Sequence, residues 1–351
     1  MPQGPEIVFE RRGTAGLVTL NRPHALNAVT HAMIRTLTDK LTEWSVDSSV
    51  SRVVITAAGE RAFSAGGDLR ALYELRQAGR QPEALTFWRD EYVLNAMIKH
   101  YRKPYIAVID GIVMGGGVGV SVHGSHRVAG DQFQFAMPEV GIGFFPDVGA
   151  TWFLPRLPGE LGTYCALAGA RLGAPEAVAA GIATHHVRSA RLPDVIDALC
   201  GSASVDAVLG AFAEPVGANP ITSQRRRDHA FKASRVEDIL AVLDKAASSA
   251  DTDAEWAGAT AVTLRAKSPL SLKIALAQMR RGATWDFDEC MRAEFRIVSR
   301  VVYGHDFYEG IRALIVDKDN VPHWRPPRLD DVTEAELERH FAPLADELEL
   351  P

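Results

Sequence analysis

The sequence predicts an α/β fold with a helical region toward its C-terminal end, and three observations carry the prediction. Short apolar runs, VVITA at 53–57 and IAVID at 106–110, alternate with stretches of helical periodicity. Each run is followed by a glycine cluster that opens a helix, SAGGDL at 64–69 and MGGGVG at 114–119. From Thr222 onward the pattern is helical almost throughout.

Taken in order, residues 6–20 read as a hairpin, EIVFE and LVTL about a turn at Gly13 to Gly16. Thr30 is placed to cap a helix whose Met33, Ile34, Leu37, Leu41 and Trp44 share one face. Residues 83–100 form a second amphipathic helix. Further strands are expected near His126 to Ala129 and at Ile182 to Val187. Residues 188–220 turn rich in Ala, Pro and Gly. Four helical segments follow: RVEDILAVLDKAA, DAEWAGATAVTLRAK, SPLSLKIALAQMRRG and FDECMRAEFRIVSRVVYG. Ser268 before Pro269 is a good helix start. The acidic DDVTEAELERHFAPLADELEL reads as a surface helix with a loose tail. The expected division is a core at 1–220 and a helical region at 221–351.

Composition excludes several classes. A net charge of −6 gives no reason to expect nucleic-acid binding. The three cysteines, Cys165, Cys200 and Cys290, form no disulfide framework, so a reducing, cytoplasmic setting is expected. The first residues lack the apolar segment of a secretory signal. No membrane association is expected, because the longest apolar candidate, 106–122, contains Asp110 and many glycines.

The chemistry concentrates in AMPEVGIGFFPDVG at 136–149, where Glu139 and Asp147 sit among glycines, aromatics and aliphatics. Burying a carboxylate is costly unless it is paired or protonated, and apolar surroundings raise its pKa, which suits acid/base or nucleophilic work near neutral pH. The glycine clusters start helices, whose first N–H groups are unpartnered and favour negative charge, so two such loops together make an oxyanion hole. Other motifs fail. The glycines do not give GxGxxG or a P-loop. GVSVH at 119–123 ends in His123 where a nucleophile elbow needs glycine. His123 and His126 have no neighbouring Cys or carboxylate ligand, so no metal is expected. RRRD at 225–228 reads as a solvated face that could reach a phosphate.

TLNRPHALNA, FSAGGDL, the GGG helix start, FAMPEVGIGFFPDVGATWFLPRL and LGTYCALAGARLGAPEAVAAGIATHHV, in this order and spacing, resemble the crotonase (enoyl-CoA hydratase/isomerase) superfamily over roughly residues 5 to 325. Within it the chain is most similar to the hydrolase branch acting on 3-hydroxyisobutyryl-CoA in valine breakdown. The features of that branch are GFFPDVG, RDEY at 89–92 and DFYEGIRALIVDKDNVPHW at 306–324. The resemblance implies a ββα spiral core and an acyl-CoA substrate that brings CoA with it. It implies no separate cofactor, and a homo-oligomer, trimer or hexamer.

The resemblance also implies roles. The backbone N–H groups of Gly67 and Gly116 would hold the thioester oxygen. Glu139 matches the second of the two hydratase glutamates. The first would fall at position 119, which is Gly119 here. Hydrolase-like members lack that glutamate and carry an aspartate matching Asp147. Glu91 matches a further acyl-site residue, and it also fits the boundary of an amphipathic helix. Ala25 and Leu26 match the adenine-proximal loop. Asp68 joins the substrate-binding set, though bracing the first glycine loop or capping its helix fits it better. Arg70 and Lys273 could meet CoA phosphates or face solvent.

Hydration needs two opposed carboxyls, whereas thioester hydrolysis needs one carboxylate and an oxyanion hole. Glu139 would attack directly to give a mixed anhydride, or act as base on water. Asp147 would orient Glu139, bind a 3-hydroxyl or protonate the leaving thiolate. A hydratase/isomerase of the same superfamily and a catalytically degraded CoA-binding protein are the alternatives.

Overall fold

The computed structural model describes residues 4–217, 225–249 and 253–351. The boundary drawn at 220/221 lies outside them. Among these residues ten strands follow in order: β1 Ile7–Arg12, β2 Ala15–Leu20, β3 Arg52–Ala57, β4 Ala62–Ser64, β5 Tyr105–Ile109, β6 Ile112–Met114, β7 His126–Ala129, β8 Gln134–Ala136, β9 Leu172–Gly173 and β10 His185–His186. They form two sheets, β1-β2-β3-β5-β7-β10 and β4-β6-β8-β9. The hairpin β1-β2 is antiparallel, turning at Gly13 and Thr14, and β3, β5, β7 and β10 add to it in parallel. In the smaller sheet β4, β6 and β8 are parallel and β9 runs against β8.

The chain therefore coils. β3 and β4 go to different sheets, and so do β5 with β6 and β7 with β8. Helices return the chain between these pairs: α1 His31–Val46 before β3, α2 Leu69–Gln77 and α3 Gln81–Lys99 before β5, and the single turn α4 Gly116–Gly119 before β7. This is the ββα spiral that the resemblance implies. Residue pattern accounts for most of it. Thr30 accepts from the Met33 N–H, and α1 buries the five apolar residues of its predicted face. Strand β3 is buried on both faces. Val53 and Ile55 join the main core, while Val54 joins a second core beneath helices Leu192–Leu199 and Val205–Phe212.

Helices Pro269–Gly282 and Phe287–Val301 pack into the main core through Ile274, Met279, Phe287, Met291 and Phe295. Val236–Ala247 and Ala254–Arg265 build a third cluster with Ala230 and Phe231.

Two surface expectations are corrected. The tail after helix Glu334–Phe341 is not loose: Leu348 is 2% exposed, Glu347 pairs with Arg296 at 2.9 Å, and Arg89 binds Asp346. Its acids find partners on two helices and its leucine finds the core. RRRD is not a solvated face either. Arg227 is fully buried and pairs with Asp228 at 2.7 Å, while Arg226 pairs with Asp253. The strand expected at 182–187 shrinks to two residues.

Candidate active site

Topology gathers the three candidate segments. β4, β6 and β8 are adjacent and parallel, so the loops that follow them emerge at one edge, the carboxyl end where α/β sheets bind ligands. Gly66 and Gly67 follow β4, Gly115 and Gly116 follow β6, and Glu139 follows β8. They line one cavity of about 560 Å³. Its walls are Leu69, Leu72, Phe87, Trp88, Phe144 and Phe307, with Trp88 stacked on Phe144 at 5.5 Å. Its acids are Glu91, Glu139 and Asp147.

The two glycine loops touch. A Cβ at Gly116 would lie 3.5 Å from the Gly67 nitrogen and 2.6 Å from Glu91 Oε1, so only glycine fits there without displacing the acid. The pairing between Val29 and Gly67 runs through Val29 N–H to Gly66 O and Asp68 N–H to Val29 O, which leaves the Gly67 N–H outside it. Gly116 is the first residue of α4, so its N–H also lies outside the helical bonds. Both N–H groups belong to cavity-lining residues.

The acids are all buried. Burial pushes Glu139 well above the usual carboxylate range, and the charge of Asp147 adds to the shift. Glu91 is raised in the same way. Asp147 is pushed up to about 7 by burial, against a 2.9 Å hydrogen bond from the Tyr92 hydroxyl that favours its ionised form. Oε1 of Glu91 and Oε2 of Glu139 are buried without a hydrogen-bond partner among the described residues. Carboxyls raised in this way hold their protons to higher pH than exposed ones, which suits acid/base work.

Position 119 is filled space. A Cβ at Gly119 would stand 2.8 Å from Asn95 Nδ2 and 2.8 Å from Val148 Cβ. No side chain can grow there while those two stay in place.

Of the other expected residues, Leu26 lines the cavity from a left-handed turn, φ 50°, and Ala25 stands beside it in the turn Pro23–Ala25. Asp68 acts as cap and brace: it accepts from the Ala71 N–H and pairs with Arg22 at 3.0 Å. Lys273 is engaged by Glu237 at 2.9 Å, and Arg70 donates to Ile315 O.

Sequence reasoning missed Tyr92, Asn95, Lys267, Gln278 and Glu294. Lys267 lines the cavity, and burial lowers its pKa. Glu294 is fully buried, and burial together with the Asp147 charge raises it to about 8. A signal existed: Glu294 lies three residues from Met291 and from Ile297, on the apolar stripe of its helix. Among the described residues no group of three or more His, Cys, Asp or Glu is arranged to hold a metal ion. No helix among them is long and apolar enough to cross a membrane.

A spiral of ββα units with two glycine loops and a buried glutamate at one sheet edge defines a crotonase-type protein. The family model described as enoyl-CoA hydratase/isomerase matches residues 15–341, and the chain belongs to that family. It is 44% identical to "3-hydroxyisobutyryl-CoA hydrolase, mitochondrial" of Danio rerio, over 99% of this chain and 92% of that one. Among solved structures it resembles a carnitinyl-CoA dehydratase from Mycobacterium thermoresistibile, with a TM-score of 0.92 and 42% identity over 99% of each chain. It also resembles an enoyl-CoA hydratase from Rhodobacter sphaeroides, with a TM-score of 0.88 and 37% identity over 99% of this chain and 100% of that one.

Proposed function

We propose that this chain hydrolyses 3-hydroxyisobutyryl-CoA to 3-hydroxyisobutyrate and CoA, a step of valine breakdown. The observation that carries the reading is the pairing of Glu139 and Asp147 in one cavity with a closed position 119. Similar proteins are named hydrolase, dehydratase and hydratase, so names alone do not choose the reaction. A hydratase needs a second carboxyl opposite Glu139. Here Asn95 and Val148 occupy the space it would grow into.

In the proposed reaction the Gly67 and Gly116 N–H groups stabilise negative charge as it develops on the thioester oxygen. Glu139 attacks the carbonyl carbon and expels the CoA thiolate, leaving an anhydride that water opens, or it draws the proton from an attacking water. In this reading Asp147, which accepts a hydrogen bond from Tyr92, meets a 3-hydroxyl or passes a proton to the thiolate. The aromatic wall bounds the acyl group, and Leu26 belongs to the loop that receives the adenine end. Neither a metal nor a redox group enters these steps, and CoA arrives with the substrate. The intact carboxylate pair weighs against a binding protein with lost catalysis.

The resemblance extends the proposal to a trimer or hexamer, which sedimentation checks. The compartment is taken as reducing and cytoplasmic; the zebrafish relative is named as mitochondrial, and cell fractionation decides between the two.

A thiol-release assay tests the activity. Free CoA thiol from 3-hydroxyisobutyryl-CoA, with no loss of enone absorbance from crotonyl-CoA, is expected. Loss of that absorbance without thiol release would establish hydration instead.

A further inference from the structure

The backbone from Pro146 to Thr151 carries Asp147 into the cavity, and buried side chains from other parts of the chain clamp it. The Tyr92 hydroxyl donates to the Asp147 carboxylate at 2.9 Å. His123 Nε2 lies 2.6 Å from Val148 O. Gln278 Nε2 donates to Pro146 O at 3.0 Å and to Thr151 Oγ1 at 2.7 Å. Glu294 accepts from the Gly149 N–H at 2.8 Å through one oxygen and from the Thr151 N–H at 2.9 Å through the other.

The clamps hold an unfavourable conformation. Val148 has φ 53°, a left-handed backbone that a β-branched residue avoids. Such strain persists only where the surroundings over-determine it, and it gathers at functional sites. Two of the clamps, Gln278 and Glu294, come from helices more than a hundred residues away in sequence. Both are fully buried, and neither lines the cavity. A buried glutamate is an expensive way to hold a loop, since apolar packing would cost less. A carboxyl group nevertheless offers what this loop needs, one oxygen for each of two N–H groups. Glutamine offers one oxygen and an NH₂ that would face a donor.

We propose that Glu294, together with Gln278, is a positioning residue for Asp147, fixing the 147–151 backbone in the strained form that aims Asp147 at the acyl group. This rests on the hydrolase reading above.

The test uses the full-length enzyme with Glu294→Gln and Gln278→Met, thermal melts, and CoA-thiol release from 3-hydroxyisobutyryl-CoA. A folded Glu294→Gln enzyme should lose about 10- to 100-fold in kcat with KM within about threefold, as expected for a misplaced rather than missing group. Placed in an Asp147→Asn background and read by single-turnover kinetics, the same change should cost less than about threefold, because there is no carboxylate left to aim. A kcat within about twofold of wild type overturns the inference, and so does a loss undiminished in the Asp147→Asn background. If Glu294→Gln does not fold, Gln278→Met is judged by the same criteria. If neither folds, the clamp is a folding element and the inference is overturned. Wild-type enzyme that releases no thiol defeats the hydrolase reading itself, and this inference with it.

Discussion

At the residue scale the site is a set of acids held where water does not stabilise their charge. Glu139, Asp147, Glu91 and Glu294 are all buried, and burial is the leading cause of each raised pKa. Glu139→Gln keeps the shape and removes the nucleophile or base. It is expected to lower kcat by about 10³-fold or more while acyl-CoA still binds, as measured by thiol release and calorimetry. Near-normal turnover would remove Glu139 from the chemistry. Asp147 gives a stability prediction. It titrates near 7 when folded, against roughly 4 in an unfolded chain. Between those values the folded state holds the extra proton, so this group's contribution falls as pH rises through that window, and the full cost of the buried charge is present above it. Asp147→Asn should therefore stabilise the protein by roughly 1–3 kcal/mol at pH 8, with the gain vanishing toward pH 4. Melting curves across that range check it, and a gain independent of pH would contradict it. Glu139 and Asp147 were legible in sequence because charge among glycines and aromatics is conspicuous. Glu294 was harder to see, because its neighbours in sequence, Arg292 and Arg296, make a charged residue there look ordinary.

At the scale of elements, the site exists because three strands of the smaller sheet are parallel neighbours. β4, β6 and β8 have three residues each, too short to show a period of two, so sequence pattern did not reveal them. The glycine clusters marked where they end. α3 brings Glu91, Tyr92 and Asn95 inward alongside Trp88, the spacing of one buried helical face. Asn95 against α4 is what closes position 119. Gly119→Glu would supply the glutamate that position 119 lacks, but the new side chain must displace Asn95 or the strained Val148. Gly119→Glu is expected to destabilise the fold by at least about 1–3 kcal/mol and to leave crotonyl-CoA unhydrated. Urea unfolding and enone absorbance are the measurements, and measurable hydration by a stable variant would contradict the packing argument.

At the scale of the whole molecule, the C-terminal helices are part of the same core as the spiral. Phe287, Met291 and Phe295 join the main core, and the last residues return to pair with Arg89 and Arg296. Leu348→Ala tests whether that tail belongs to the fold. Removing a side chain only 2% exposed should cost about 2–3 kcal/mol, read by thermal or denaturant unfolding. A cost near zero would restore the loose tail. The sequence by itself determined the alternation of strands and helices, the family, and the places where glycine and acid had to meet, because period, composition and motif are local properties. Only the tertiary structure decided that Asn95 fills the place of a second glutamate and that Glu294 and Gln278 grip the Asp147 loop. Those contacts join residues tens to more than a hundred positions apart, and close packing, not local pattern, sets which of them can coexist.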